Sequence, residues 1–121
     1  MATILIVEDT AANRVLATKI LRSAGHDVTT AETGVEGVKM ARERRPDVVL
    51  MDLGLPDLDG WQALKEIRNS AGDVAGLRIV AFTAHAMVGD RERALNAGFD
   101  GYLSKPIDVA TFADEVAELV P

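Results

Sequence analysis

Five short apolar runs, rich in β-branched residues, recur along the chain at regular intervals. They occupy residues 3–8, 26–31, 47–52, 77–83 and 100–104, and the run at 26–31 is the least apolar. Apolar residues in these runs mostly follow one another instead of alternating with polar ones. Continuous hydrophobicity is typical of strands covered on both faces, as in parallel sheets. The pattern therefore predicts buried strands in a parallel sheet.

Helical patterns with recognisable ends lie between these runs. The first predicted helix has an apolar residue at every fourth position: Ala12, Leu16, Ile20 and Ala24. Thr10 is a suitable N-cap for it, and Gly25 follows its end. Thr33 and Glu36 have the spacing of a capping box for a second helix, whose end is marked by Pro46.

Three further helices are predicted in the second half of the chain. Asp59 is placed to cap the third, which carries Trp61, Leu64 and Ile67 on one side. The fourth is expected around residues 88–97. Asp108 is placed to cap the last helix, whose predicted buried stripe is Val109, Phe112, Val116 and Leu119.

Five strands alternating with five helices predict an α/β fold, a flavodoxin-like doubly wound (βα)5 sandwich. The expected strand order is 2-1-3-4-5, in which ligands bind beyond the carboxyl ends of strands 1 and 3. Strand 1 ends in Glu8 and Asp9, and strand 3 ends in Asp52. The topology therefore predicts that these three carboxylates converge at the place where such sheets bind ligands.

Length, charge and cysteine content exclude several classes of function. The 121 residues suit one domain, expected to span 1–121, and the net charge of -6 disfavours nonspecific nucleic-acid binding. No run approaches the roughly 18 apolar residues that cross a bilayer, and the N-terminus lacks the pattern of a secretion signal. The absence of cysteine excludes disulfides and thiolate sites. We expect a cytoplasmic protein that binds neither membrane nor nucleic acid.

Each of the three acids taken singly is an ordinary cap or turn residue. Together, their negative charges repel one another and require a positive partner. Two charges about 4 Å apart interact by about 4 kcal/mol at an effective dielectric near 20. Oxygen ligands without His or Cys favour Mg²⁺. We expect Asp9 to hold the ion, with Glu8 supporting it directly or through water, and the Gly54 backbone carbonyl to be a further ligand.

Two further polar residues are predicted to reach the same edge of the sheet. Thr83 ends strand 4 and offers a hydroxyl, while Lys105 follows strand 5 and offers an ammonium. A carboxylate nucleophile, a metal, a lysine and a hydroxyl are what phosphoryl transfer to an aspartate needs. Asp52, which stands alone at its strand end, is the predicted nucleophile.

Four motifs in order make the sequence resemble the receiver domain of two-component response regulators. They are ILIVED, VLMDLGLPDLDG, AFTAHAM and GYLSKPI, and the resemblance they support extends over the whole chain. The resemblance is closest to free-standing receivers of the DivK type and to receiver modules of hybrid histidine kinases. It implies that Glu8 and Asp9 bind Mg²⁺, that Asp52 is the phosphoacceptor, and that Thr83 and Lys105 contact the phosphoryl group.

The resemblance also implies how the signal leaves the site. Tyr102 matches the aromatic switch that moves with Thr83, and the bond between Lys105 and Pro106 matches a peptide bond that is usually cis. The output surface is expected on the fourth helix, fifth strand and fifth helix, with candidate contacts at Met87, Val88, Leu95 and Phe112.

Partners and kinetics follow from the same resemblance. It implies a histidine kinase or histidine phosphotransfer protein as donor, a downstream protein target, no attached output domain, and a monomer or weak homodimer that assists its own phosphorylation and dephosphorylation. Gly54 and His85 stand where side chains influence attack of water on the acyl phosphate. The sequence leaves open which way these two residues change the lifetime of the phosphate.

Two alternatives share parts of this chemistry. A haloacid-dehalogenase-like phosphatase also uses a strand-end aspartate with Mg²⁺, but it usually carries a second aspartate two residues later, where this chain has Gly54. A flavodoxin-like electron carrier or binding module needs a phosphate-binding loop after strand 1, where Glu8 and Asp9 would repel a phosphate.

Overall fold

The sheet contains five parallel strands in the order predicted from the sequence. The computed structural model describes residues 2–84 and 89–120. The strands are β1 (Thr3–Val7), β2 (Asp27–Ala31), β3 (Val48–Asp52), β4 (Arg78–Thr83) and β5 (Gly101–Ser104). Their order is β2-β1-β3-β4-β5, which confirms the doubly wound α/β fold. The winding therefore reverses between β1 and β3, at the predicted ligand position.

Five α-helices connect the strands. They are α1 (Ala11–Ser23), α2 (Gly34–Arg44), α3 (Gly60–Arg68), α4 (Asp90–Ala97) and α5 (Phe112–Leu119). A short 3-10 helix, Gly72–Gly76, precedes β4 and was not predicted. The predicted start of the fourth helix at residue 88 lies outside the described residues. Within the described residues, no helix is long and apolar enough to cross a membrane.

Each face of the sheet has its own core. On one face, side chains of β1, β3 and β4 pack against α2, α3 and Ala94 of α4. On the other face, the alternate side chains of these strands pack against α1 and α5. Because both faces are covered, β1 and β3 can be apolar at consecutive positions, as the sequence pattern indicated.

The helix starts agree only partly with the predictions. Thr33 accepts a hydrogen bond from the Glu36 N–H (3.1 Å), as in a capping box, but the Glu36 carboxylate accepts from the Glu32 N–H (3.2 Å) instead of the Thr33 N–H. Asp59 caps α3 through the Gln62 N–H (2.9 Å). Thr10 occupies the N-cap position of α1 but makes no side-chain capping bond.

The predicted buried face of α1 was wrong in part. In α1, the fully buried residues are Ala17 and Leu21, while Ala12 and Ala24 are exposed. A four-residue step overshoots one helical turn by about 40°, so a stripe repeated every fourth residue winds around the helix.

The start of α5 is also later than predicted. The Asp108 carboxylate accepts a hydrogen bond from the Ala110 N–H (3.0 Å) in a turn that precedes the helix. Val109 lies in this turn and is 64% exposed. The cap therefore belongs to the turn, and the buried stripe begins at Phe112.

Candidate functional site

The three acids named from the sequence meet at the carboxyl edge of the sheet. β1 and β3 are neighbours, with Val7 opposite Met51, so the residues that follow each strand lie side by side. One carboxylate oxygen from each of Glu8, Asp9 and Asp52 lies within 4.8 Å of the others. Glu8 and Asp52 are buried, whereas Asp9 is exposed. The cluster therefore has a buried floor and an opening to solvent.

Lys105 brings a positive charge into this cluster from β5. Its ammonium contacts Glu8 Oε1 and lies 3.3 Å from Asp52 Oδ2. The side chain is 7% exposed, and Nζ lies 4.9 Å from the centre of the Phe82 ring. The peptide bond between Lys105 and Pro106 is cis, and the Lys105 N–H donates to the Thr83 carbonyl (2.8 Å). The ammonium is thus held between two carboxylates and an aromatic face.

Backbone groups fix the two buried carboxylates. The Gly54 N–H donates to Asp52 Oδ1 (2.9 Å), and the Thr10 N–H donates to Glu8 Oε2 (3.1 Å). Arg14 donates to the backbone carbonyls of Glu8 (3.1 Å) and Asp9 (3.4 Å), a role that was not predicted. A basic residue one turn into the helix that follows an acidic pair is the available sequence signal for it.

The two buried acids differ in their electrostatics. Burial raises the pKa of Glu8 to about 7, with the bond to the Lys105 ammonium opposing the rise and neighbouring Asp52 adding to it. Burial also acts to raise the pKa of Asp52, but hydrogen bonds from Glu8, the Gly54 N–H and Lys105 together hold that pKa below its usual value. Without a metal, Asp52 is therefore the ionised member of the pair at neutral pH, and Glu8 is the one that takes up a proton first as the pH falls.

The donor set fits Mg²⁺. All three side chains offer carboxylate oxygens, and neither His nor Cys contributes to the described cluster. Lys105 is the one basic side chain paired with these acids in residues 2–84 and 89–120, so negative charge remains in excess. Asp9 and Asp52 would hold the ion, with Glu8 and the Gly54 carbonyl as the further predicted contributors.

Thr83 lies on β4, next to β3, and Tyr102 lies on β5, next to β4. Thr83 is the last residue of β4, is 1% exposed, and pairs in register with Ser104 of β5. Tyr102 is half-buried against the core, and burial followed by the charge of Asp90 raises its pKa. A cavity of about 160 Å³ adjoins the site and is lined by Leu53, Gly54, Trp61, Thr83, Asp90 and Arg93. His85, named from the sequence, lies outside the described residues.

Comparison with known proteins identifies the family. The family model of the response regulator receiver domain matches residues 4–117, and the chain belongs to this family. A curated relative, the polar-differentiation response regulator DivK of Brucella anthropi, is 34% identical over 113 residues, which cover 93% of this chain and 91% of the relative. The resemblance to receivers of the DivK type is thereby confirmed.

Solved structures agree in fold. The receiver domain of the sensor histidine kinase PA1611 from Pseudomonas aeruginosa is 39% identical with a TM-score of 0.86, covering 98% of this chain and 96% of that one, and it contains a magnesium ion coordinated in the active site cleft. The chemotaxis response regulator CheY4 of Vibrio cholerae has a TM-score of 0.90 at 26% identity, covering 99% of both chains. The protein is a signalling module of two-component systems and not a classical enzyme.

Proposed function

We propose that Asp52 accepts a phosphoryl group from a phosphohistidine donor in a Mg²⁺-dependent reaction. The observation that carries the proposal is the buried Asp52 carboxylate, held between the Gly54 N–H and the Lys105 ammonium within 4.8 Å of two further acids. The magnesium-bound receiver domain of PA1611, with the same fold, supports the choice of metal. When bound, Mg²⁺ supplies countercharge to the oxygens of the transferred group.

The transfer exchanges one bond to phosphorus for another. An Asp52 carboxylate oxygen forms the P–O bond, the P–N bond to the donor imidazole breaks, and the imidazole leaves with the bonding electrons and takes a proton. The Gly54 N–H on Oδ1 and Lys105 beside Oδ2 fix the rotation of the carboxylate. Positioning and countercharge are the main requirements of such a transfer, and this chain supplies both, so it assists its own phosphorylation.

Lys105 and Thr83 are proposed to bind the transferred oxygens. The Lys105 ammonium already lies 3.3 Å from Asp52, so a small movement away from Glu8 suffices to contact a phosphoryl oxygen. The Thr83 hydroxyl, at the end of the strand next to β3, would donate to another. Phosphorylation adds about 1.5 to 2 negative charges and three strong acceptors, which is enough to reorient both groups.

The proposed output is a change at the surface formed by α4, β5 and α5. Movement of Thr83 would give Tyr102 space to turn inward and couple the site to that surface. Of the contacts expected there, Leu95 is 40% exposed, while Phe112 is 2% exposed and belongs to the core. Met87 and Val88 lie outside the described residues. Leu95 is therefore the best-supported contact of the four.

The partners proposed for this switch are a histidine kinase or a histidine phosphotransfer protein as donor and a protein target as receiver of the signal. Family membership supports both classes of partner. A single receiver domain over residues 1–121, the cytoplasmic location, the absence of nucleic-acid binding and the monomeric or weakly dimeric state stay predictions. The phosphatase and flavodoxin alternatives have no supporting observation among the described residues.

Labelling by a small phosphodonor tests the function. Wild-type protein incubated with acetyl phosphate and Mg²⁺ should gain one phosphoryl group, seen by mass spectrometry, and chelation of the metal should prevent it. Asp52→Asn should abolish labelling. Asp100→Asn, which removes an acid at the opposite edge of the sheet, is the matched control and should be labelled normally. Labelling that survives in Asp52→Asn would place the acceptor elsewhere.

A further inference from the structure

The loop between β3 and α3, residues 53–59, is bonded to the start of a helix on the neighbouring βα unit. Asp57 accepts hydrogen bonds from the backbone N–H groups of Gly34 (2.9 Å, to Oδ1) and Val35 (3.1 Å, to Oδ2). These are the first two residues of α2, whose N–H groups have no partner inside the helix. Asp57 thus caps α2 from a distance of more than twenty residues along the chain.

The contact between this loop and α2 leaves no space. A Cβ added to Gly34 would lie 2.1 Å from the Leu58 carbonyl oxygen. A side chain at position 34 would therefore push the loop away from α2. At the start of α3, a Cβ on Gly60 would lie 2.8 Å from the Cα atom of Leu53, the first residue of the loop. The loop is therefore packed against the starts of both α2 and α3.

The same loop carries a backbone group of the proposed phosphorylation site. The Gly54 N–H donates to Asp52 Oδ1 (2.9 Å), and the Gly54 carbonyl is an expected metal ligand. Gly54 itself is exposed, so surrounding side chains do not fix it. The residues that follow it are held by the burial of Leu55, which is 5% exposed, and by the Asp57 bonds.

The negative charge of Asp57 is stabilised by its position at the N-terminus of α2. A carboxylate at a helix N-terminus is stabilised by the unpaired N–H groups and by the helix dipole. The bonds from the Gly34 and Val35 N–H groups lower the pKa of Asp57, so it stays ionised at neutral pH. The next N–H of the helix, that of Glu36, is capped separately by Thr33 (3.1 Å). Thr33 and Asp57 therefore both cap α2, but of these two residues Asp57 alone belongs to the β3–α3 loop and bonds that loop to the helix.

We propose that Asp57 is a positioning residue for the Asp52 site, which holds the loop so that Gly54 presents its N–H to Asp52 and its carbonyl to the metal. The inference rests on the proposed function, and it adds a residue that touches neither the metal nor the phosphoryl group. Asp57→Asn keeps one acceptor oxygen and loses the other bond to α2, so the loop is held less firmly, although Leu55 and Leu58 still pack against the core. Gly54 then spends less time in the geometry that the site requires.

Metal titration tests this role without phosphorylation. Trp61 is the single tryptophan and lines the cavity that also contains Gly54, so its fluorescence can follow Mg²⁺ binding. Asp57→Asn should raise the Mg²⁺ dissociation constant about fivefold, less than the roughly 10- to 100-fold typical of groups that contact metal ligands. Thr33→Val is the matched control, because it removes a cap of the same helix and leaves the loop attached. It should bind Mg²⁺ like the wild type.

Hydrogen exchange in metal-free protein gives an independent measurement. Asp57→Asn should speed exchange of the Gly54 amide severalfold, whereas Thr33→Val should not. Asp57→Ser serves as a second variant if Asp57→Asn does not fold. Equal exchange and equal metal affinity in the Asp57 and Thr33 variants would overturn the positioning role.

Asp57→Asn also removes a negative charge, which could by itself weaken Mg²⁺ binding from a distance. Measurements at high salt distinguish this electrostatic effect from loss of positioning. At 1 M KCl the Debye length is about 3 Å, so loss of a distant charge has little effect on metal binding. The ratio of dissociation constants between Asp57→Asn and wild type should persist under this condition, and its disappearance would overturn the inference. A wild-type protein that neither binds Mg²⁺ nor accepts phosphate would instead refute the proposed function.

Discussion

Arg68 and Lys105 pair with acidic side chains at opposite edges of the same sheet. At the amino edge, Arg68 donates to the carbonyls of Ala75, Leu77 and Gly98 and to the Asp100 carboxylate (2.9 Å). Asp100 also accepts from the Ile79 N–H (2.8 Å). At the carboxyl edge, Lys105 contacts two carboxylates, and a third acid lies close by.

The difference lies in how completely each set of charges is satisfied. The planar guanidinium of Arg68 matches its acceptors in fixed directions, and the one acid beside it has a cation and an N–H. The ammonium of Lys105 is a compact charge shared between acids that outnumber it. Its side chain is 7% exposed, against 25% for Arg68, so water does less to screen the imbalance. The first set is balanced within the fold, whereas the second keeps an excess of acidic groups, which the proposed function assigns to a cation and a phosphoryl group.

Between the two cations, the larger effect on phosphorylation is expected from Lys105→Met, which keeps most of the side-chain stem and removes the charge. The rate of phosphorylation by acetyl phosphate should fall about 100- to 1000-fold, the loss typical when one charge-stabilising donor is removed. Single-turnover kinetics followed by Trp61 fluorescence would measure it. A rate within a factor of three of wild type would show that Lys105 does not contact the transferred group.

Arg68→Met should instead lower the stability of the fold and leave metal binding unchanged. Loss of the bonds to three carbonyls and to Asp100 should lower the free energy of unfolding by about 2–3 kcal/mol, because several partly buried acceptors lose one charged donor. Urea denaturation would measure the change. Mg²⁺ affinity of the folded variant should equal that of the wild type, and a weakened metal site would contradict the separation of the two edges.

The pH dependence of metal binding sharpens the comparison. The pKa of Glu8 is raised to about 7 in the metal-free protein, and metal binding displaces this proton. Mg²⁺ affinity should therefore rise about tenfold between pH 6 and pH 8, by linkage to one group with a pKa of about 7. Fluorescence titrations across this range would show it, and Glu8→Gln should flatten the dependence.

The same group affects stability in the opposite direction. A pKa raised by folding means that the folded state binds the proton more tightly than the unfolded state. The contribution of Glu8 to the stability of metal-free protein is thus complete below its unfolded pKa near 4.5 and is lost as pH rises through about 7. Urea denaturation in chelator at pH 5 and pH 8 checks the sign. If the metal-free wild type gained stability relative to Glu8→Gln between pH 5 and pH 8, the sign would be contradicted.

The smallest effect is expected at Asp47, another acid of the amino edge. It accepts from the Thr3 N–H (2.8 Å) and the Thr3 hydroxyl (3.1 Å) in an exposed position. Asp47→Asn should cost about 0.5–1 kcal/mol in urea denaturation, because water replaces much of what is lost. Metal binding and labelling should be unchanged. A change in either would show that the two edges are coupled.

Much of the fold could be predicted because periodicity and covered faces are local signals. Continuous apolar runs identified β1 and β3, and Asp59 identified the start of α3. The buried stripe of α1 could not be predicted, since which side of a helix faces the sheet depends on the packing angle and not on the helix alone. The 3-10 helix before β4 lacks any periodic signal, because its five residues make fewer than two turns.

The site was partly predictable for a different reason. Strand ends that share an edge bring their following residues together, so Glu8, Asp9, Asp52 and Lys105 could be grouped from topology. Distances between loops could not be read in this way. The bonds from Asp57 to α2 depend on how the β3–α3 loop folds back, and the contacts of Arg14 depend on the direction of α1.

The contact between Glu8 and Lys105 joins residues 97 positions apart. During synthesis, β1 leaves the ribosome well before the lysine that faces its terminal acid, because the lysine follows it by so many residues. A nascent chain that has already paired β1 with β3 therefore exposes an acidic edge that its own later residues have yet to neutralise. A divalent cation bound at that edge would supply the missing positive charge until Lys105 is in place.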